Sequence, residues 1–220
     1  QYYGHQGGLL ETLDLDLWDT GFGAAVGHRE ATSSGYVNSE RFDYVAYYKN
    51  RVFADTTYVT DYKVAWVYHH FPDQPREAGN YYEGVVTLSW CDLLPAGICP
   101  FYTVAYETPA GSGYANRASA GWWHQFGFDC AVKLPGLPGL PGIGPALEDQ
   151  TYRLSADVAY RDGLGGTDHD WSHATFGLST VFDITEGWVF IPGVYHQISM
   201  EDTVSKEDVT YAVLSVQSKF

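Results

Sequence analysis

The sequence contains no run of 18 or more apolar residues, so a transmembrane helix is excluded. Basic residues are scarce: 12 Lys and Arg stand against 27 Asp and Glu, and the formal net charge is -15. A protein with this charge repels polyanions, so we expect no nucleic-acid partner. Charged residues make up only 18% of the chain, which is too few for a disordered acidic tail.

Aromatic residues and glycine are abundant instead. Phe, Trp and Tyr together form 16% of the 220 residues, and there are 24 glycines. This composition suits β-strands joined by glycine-containing turns rather than a helical bundle. All-β chains of this length commonly fold as one unit, so we expect a single domain over residues 1–220.

Alternation of apolar and polar residues predicts strands along the whole chain. It is clearest over residues 210–220 and recurs over 152–160, 174–182, 42–48 and 13–17. We count about eleven such segments, and because bacterial barrels have even strand numbers, we predict 10 or 12 strands. The fold predicted is an all-β, antiparallel up-and-down transmembrane β-barrel closed by pairing of its first and last strands. A soluble sandwich or lipocalin-like binder is the alternative, since alternation does not show which face meets water.

Aromatic residues near the predicted strand ends favour the membrane barrel. Such barrels carry aromatic girdles at both membrane surfaces, whereas in a sandwich the same residues would form the core. The girdle candidates are Trp18, Trp66, Tyr68, Trp90, Trp122, Trp123, Trp171, Trp188 and Tyr195.

The end of the chain and four internal segments carry a family resemblance. The amphipathic last strand ends on Phe220, which resembles the C-terminal signature read by the barrel assembly machinery of bacteria. Residues 20–26, 42–49, 68–72 and 81–85 resemble the TorF-type family of outer-membrane barrels. The resemblance implies a barrel surrounded by the lipid bilayer and lipopolysaccharide of the bacterial outer membrane, with no catalytic residues. Because residue 1 is Gln rather than Met, we expect export with a cleaved signal peptide.

Charged residues on the polar parity of the strands are candidates for lining the lumen. They are Asp14, Asp16, Arg41, Asp43, Lys49, Lys63, Arg153, Asp157 and Arg161. In a small barrel such residues form a network of mixed charge that fills the interior or sets a constriction. The function predicted is a small porin-like passive channel whose acidic excess favours small cations or neutral solutes. A structural or interaction barrel that anchors partners in the outer membrane is the alternative, and a barrel lipid hydrolase is a second alternative.

The densest polar cluster covers residues 168–173 and offers three interpretations. His169 and His173 are weak candidates for metal ligands, although a loop entering a strand fixes no ligand geometry. Ser172 and His173 suggest a nucleophile and its base, but neighbouring residues on a strand point to opposite faces. The third interpretation is a polar loop tip. We therefore predict no enzyme, no metal and no cofactor.

Three cysteines and one low-complexity segment complete the candidates. Cys91 and Cys99 bracket a hairpin-like connection, so a disulfide between them is the prediction for an oxidising compartment, with Cys130 unpaired. Residues 134–145 repeat Pro-Gly and predict an extended connection between two strands. The Leu side chains of this segment could rest on the membrane or bind a partner, and a homo-oligomer or a larger membrane complex stays open.

Overall fold

The computed structural model describes residues 8–31, 40–74, 79–111, 120–135, 149–164, 169–202 and 207–218. Within them the chain forms twelve β-strands and one short 3₁₀ helix, Trp18–Thr20. None of the helical structure in these ranges is long and apolar enough to cross a membrane. The strands are β1 (Gly8–Asp16), β2 (Phe22–Ala31), β3 (Arg41–Val52), β4 (Thr60–His70), β5 (Tyr81–Ser89), β6 (Ile98–Pro109), β7 (Gly121–Leu134), β8 (Gln150–Asp162), β9 (Asp170–Thr180), β10 (Phe182–Thr185), β11 (Trp188–Ser199) and β12 (Val209–Ser218).

The strands form one antiparallel sheet in an up-and-down order. From β1 to β9 each strand pairs with the next, and β11 then pairs with β9, β10 and β12. Both β9 and β10 meet β11 in one continuous register, from Gly193 opposite Ser179 to Phe190 opposite Phe182. Pro192, which has no N–H to donate, lies in β11 across from the gap between them. The prediction of an all-β antiparallel barrel of 10 or 12 strands is confirmed.

The connections differ between the two ends of the sheet. At one end, here called the short-turn end, residues 17–21, 53–59, 90–97 and 186–187 join the strands, together with the longer Pro-Gly connection. At the other, the long-loop end, the connections are residues 32–40, 71–80, 110–120, 163–169 and 200–208. This asymmetry is typical of outer-membrane barrels, whose longer loops face the cell exterior.

Two predictions about the termini and loops fall partly beyond the described residues. No ladder joins β1 to β12 within the described ranges, so the closing pair of strands stays a prediction. Phe220, the assembly-signal candidate, and most of the Pro-Gly segment lie outside these ranges.

The two faces of the sheet have opposite chemistry. The face here called the inner face carries even-numbered residues in β1 and odd-numbered residues from β2 to β12, apart from a bulge in β9. It holds the buried charged side chains, including Arg41 at 4% and His69 at 5% exposure. The outer face exposes large apolar side chains, such as Trp66 at 54% and Leu214 at 73%. A soluble sandwich would bury that apolar face, so the arrangement fits a barrel in lipid.

Aromatic rings on the inner face lie flat against glycines of the adjacent strand. Tyr47 covers Gly23, its direct cross-strand partner, and Tyr195 covers Gly177 in the same way. A Cβ atom built on Gly177 would come within 2.6 Å of the Tyr195 ring. The missing side chain therefore lets each ring lie along the wall instead of projecting into the interior.

Candidate functional site

The basic residues of the described strands all lie on the inner face. They are Arg29, Arg41, Lys49, Arg51, Lys63, Lys133, Arg153 and Arg161. The outer face of these strands therefore carries no Lys or Arg, as expected for a surface in contact with lipid. The acidic excess of the chain does not concentrate inside, because carboxylates such as Asp19, Asp55 and Asp92 lie in turns.

The first cluster is centred on Asp43 near the long-loop end. Arg41 donates from Nη2 to Asp43 Oδ2 at 2.9 Å, and Arg29 Nε lies 3.2 Å from the same oxygen. His69 faces Asp43 Oδ1 from Nδ1 at 2.5 Å and Glu83 Oε2 from Nε2 at 2.8 Å. A doubly protonated imidazole ring satisfies both carboxylates at once. The cluster thus joins strands β2 to β5 through side chains alone.

Two further contacts extend this cluster across the wall. Arg41 Nη1 donates to the Tyr81 hydroxyl at 3.2 Å, and the Trp123 indole N–H donates to Glu83 Oε1 at 2.9 Å. The residues border a cavity of about 540 Å³, which is also lined by Glu107, Arg161 and His173. The interior at this level is narrowed by buried charges but leaves space for a small solute.

A second cluster is centred on Tyr47 near the short-turn end. The Tyr47 hydroxyl lies 2.7 Å from Asp14 Oδ1 and 2.6 Å from Asp16 Oδ1. Lys49 donates to Asp16 Oδ2 at 2.8 Å, and Lys63 Nζ sits 4.0 Å from the centre of the Tyr47 ring. Carboxylates, a ring and ammonium groups therefore alternate along this part of the inner face.

Two further pairs of inner-face charges are exposed. Arg51 binds both carboxylate oxygens of Asp61, at 2.6 and 2.9 Å. Arg153 binds Asp129 in the same bidentate way, at 3.1 and 2.7 Å. The Gln125 side chain lies close to Asp157.

The structure places all nine lumen candidates on the inner face and divides them among these groups. Sequence reasoning left out Arg29, Glu83 and Trp123 as site residues, although all three lie on the inner parity. Parity within 81–87, where Tyr81, Glu83 and Thr87 alternate with apolar residues, was the signal for Glu83. Strand parity could not show that Trp123 binds Glu83, because this contact joins residues 40 positions apart in the sequence.

The girdle prediction needs a correction at two of its nine residues. Trp123 and Tyr195 lie on the inner face, where Trp123 binds Glu83 and Tyr195 covers Gly177. Trp122 and Trp123 are adjacent, so they must point to opposite faces of β7. On the outer face rings do stack across strands, as between Trp66 and Tyr82 with centroids 5.1 Å apart. The girdle itself stays a prediction.

The expectation that Ser172 and His173 cannot pair is wrong. A bulge where β9 meets Ala159 and Tyr160 breaks the alternation, and Ser172 Oγ lies 2.7 Å from His173 Nδ1. Ser172 is nevertheless fully buried, and no carboxylate binds His173 within the described residues. A nucleophile needs access to its substrate and a polarised base, so this pair does not assemble a hydrolase site.

The remaining candidates lie apart from the inner clusters. His169 forms an ion pair with Asp162, and the described residues contain no group of three or more potential metal ligands. Cys91 and Cys99 are joined by a disulfide in the turn between β5 and β6. Cys130 is a free thiol whose sulfur lies 3.7 Å from the Ala96 carbonyl oxygen.

Comparison with known proteins shows the type of fold. No protein-family model matches the chain, and no curated protein matches it. A solved structure described as a NanC porin in a rhombohedral crystal form aligns with a TM-score of 0.58 and 13% sequence identity. The alignment covers 98% of this chain and 98% of the porin. The chain therefore shares the fold of this β-barrel over nearly all of the aligned length.

Proposed function

We propose that this chain forms a small porin-like passive channel in a bacterial outer membrane. The observation that carries the proposal is the separation of chemistry between the faces. Large apolar side chains are exposed on the outer face, whereas the described Lys and Arg side chains lie on the inner face, where Arg29, Arg41 and Arg161 line a cavity of about 540 Å³.

The charges of the inner face favour the passage of small neutral solutes and give no strong preference for cations. The net charge of -15 suggests cations, but it counts the turns and loops. On the inner face, guanidinium and ammonium groups pair with carboxylates, as in Arg51–Asp61 and Arg153–Asp129. Such pairing weakens any field of one sign, so we propose modest selectivity between ions.

The surroundings of the protein follow from the same proposal. The outer face would contact the lipid bilayer and lipopolysaccharide, after export with a cleaved signal peptide and insertion by the barrel assembly machinery. Aromatic residues of the outer face, such as Trp66 and Trp188, would lie at the membrane surfaces. Fractionation of the producing cells, with the chain recovered from the outer membrane in detergent, tests this part.

Single-channel recording in planar bilayers tests the channel itself. The purified chain should give discrete current steps in 1 M salt, while a preparation denatured before reconstitution should give none. If the correctly folded chain gives no current steps, the proposed channel function is wrong.

A structural or interaction barrel is the second candidate. Burial of Arg41, Asp43, His69 and Glu83 favours it, since these side chains together block part of the interior. This candidate would be supported if the chain conducts no current but retains partner proteins in pull-downs from native membranes. Deletion of residues 135–145 should then remove those partners.

A further inference from the structure

The cavity at the long-loop end is lined by charges that are mostly occupied with each other. Asp43 is bound by Arg29, Arg41 and His69, and Glu83 is bound by His69 and Trp123. These groups contact each other at 2.5–3.2 Å. They shape the cavity but leave little binding capacity for a solute.

Glu107 and Arg161 differ from these mutually paired charges. Both line the cavity, and neither makes a hydrogen bond or an ion pair with another side chain within the described residues. Glu107 lies directly opposite Glu83 on the inner face. Like charges in this position repel, so a cationic group bound between them would be favourable.

Trp123 lies next to both charges in the sheet. It pairs directly with Arg161 across β7 and β8, and Glu107 pairs with Gly121, two residues before Trp123 on the same face of β7. Because adjacent strands lie about 4.8 Å apart, strands β6 and β8, which carry the carboxylate and the guanidinium, are roughly 10 Å apart. All three side chains line the same cavity, which therefore offers an anion, an aromatic ring and a cation.

We propose that this cavity binds small zwitterions, solutes of the size of an amino acid or a dipeptide that carry one ammonium and one carboxylate group. Glu107, beside Glu83, receives the ammonium group. Arg161 receives the carboxylate in a charge-assisted, bidentate geometry. The ring of Trp123 contacts the apolar part between them. The proposal rests on the channel function and names the class of solute that the channel selects.

Three peptides of similar size test the pairing of charges. L-alanyl-L-alanine carries both groups, its N-acetyl derivative lacks the ammonium, and its amide lacks the carboxylate. Each is added to the purified chain in planar bilayers, where block of the current is titrated, and to the chain in detergent, where binding is measured by calorimetry. The zwitterion should bind at least about tenfold more tightly than either derivative, a difference of about 1.4 kcal/mol.

Single substitutions then assign each end of the solute. Glu107→Gln should remove the preference over the acetylated peptide, and Arg161→Gln should remove the preference over the amide. Lys133→Gln is the control, because this cation lies on the inner face of the neighbouring strand β7 but outside the cavity. It should leave both preferences unchanged.

The outcomes separate the two proposals. Equal binding of the three peptides, or tightest binding of the acetylated anion, would overturn the zwitterion site. Current steps without any preference would overturn that site while leaving the channel intact. If the chain passes no current but still binds the zwitterion most tightly in calorimetry, the channel function is wrong and the zwitterion site is retained.

Discussion

At the residue scale, the inner face is held together by side chains that bridge several strands. His69 is the clearest case, because its two nitrogens contact Asp43 on β3 and Glu83 on β5. All three side chains are shielded from water, so neither carboxylate has solvent as a ready substitute for the imidazole. Exposed pairs such as Arg51–Asp61 differ, since water replaces a lost partner at little cost.

Replacing His69 should therefore destabilise the barrel. His69→Leu removes the imidazole that the two buried carboxylates share, and we expect a loss of about 3 kcal/mol in the free energy of unfolding. The measurement is urea-induced unfolding of the chain refolded in detergent or lipid. Asp61→Asn is the control and should cost less than about 1 kcal/mol, because its pair is exposed. Equal losses in the two variants would show that the His69 bridge contributes nothing particular.

Glycines beneath aromatic rings give a second expectation at this scale. Gly177→Ala places a methyl group against the Tyr195 ring, which must tilt into the interior. We expect a loss of about 1–3 kcal/mol in stability, as for overpacked sites, and a smaller single-channel current. Gly84→Ala is the control, because a Cβ there meets no atom within 4 Å. A current unchanged in both variants would contradict the account of the Tyr195 ring.

At the element scale, the alternation along each strand fixes which side chains meet lipid. Val64 in β4 is on the outer face and near the middle of its strand, whereas Thr87 in β5 is on the inner face. The two positions lie on adjacent, paired strands. They differ mainly in the medium that their side chains face.

An arginine at each position separates the two faces. Val64→Arg should lower the free energy of unfolding by about 2–4 kcal/mol in lipid, the cost of a cation at the bilayer midplane. Thr87→Arg should cost much less and change the current instead. Stability is measured by urea titration in lipid vesicles. A larger loss for Thr87→Arg than for Val64→Arg would mean that the faces have been exchanged.

Sequence patterns were sufficient for strands and parity, but not for the contacts between strands. The alternation in 152–160 and 210–218 placed those residues on the faces that the structure shows. It failed at Ser172, because a bulge adds one residue and removes the strict period of two. The girdle prediction failed at Trp123 for a different reason, since it used the residue type and ignored the parity of the strand.

At the scale of the whole molecule, the distribution of charge matters more than its sum. The chain has a formal net charge of -15, yet the inner face interleaves arginines and lysines with carboxylates. The sum could be read from composition, but the distribution required the register of every strand. Twelve strands with an apolar exterior and a charged interior are consistent with the membrane channel proposed above.

Chemical modification of single cysteines during recording tests this central claim most directly. In a Cys130→Ser background, Thr87→Cys places a thiol on the inner face and Val86→Cys places one on the outer face. A charged, water-soluble methanethiosulfonate reagent should reduce the single-channel current of the Thr87→Cys variant and leave that of the Val86→Cys variant unchanged. A reduced current in the Val86→Cys variant alone, or in neither variant, would contradict conduction through the interior that the inner face lines.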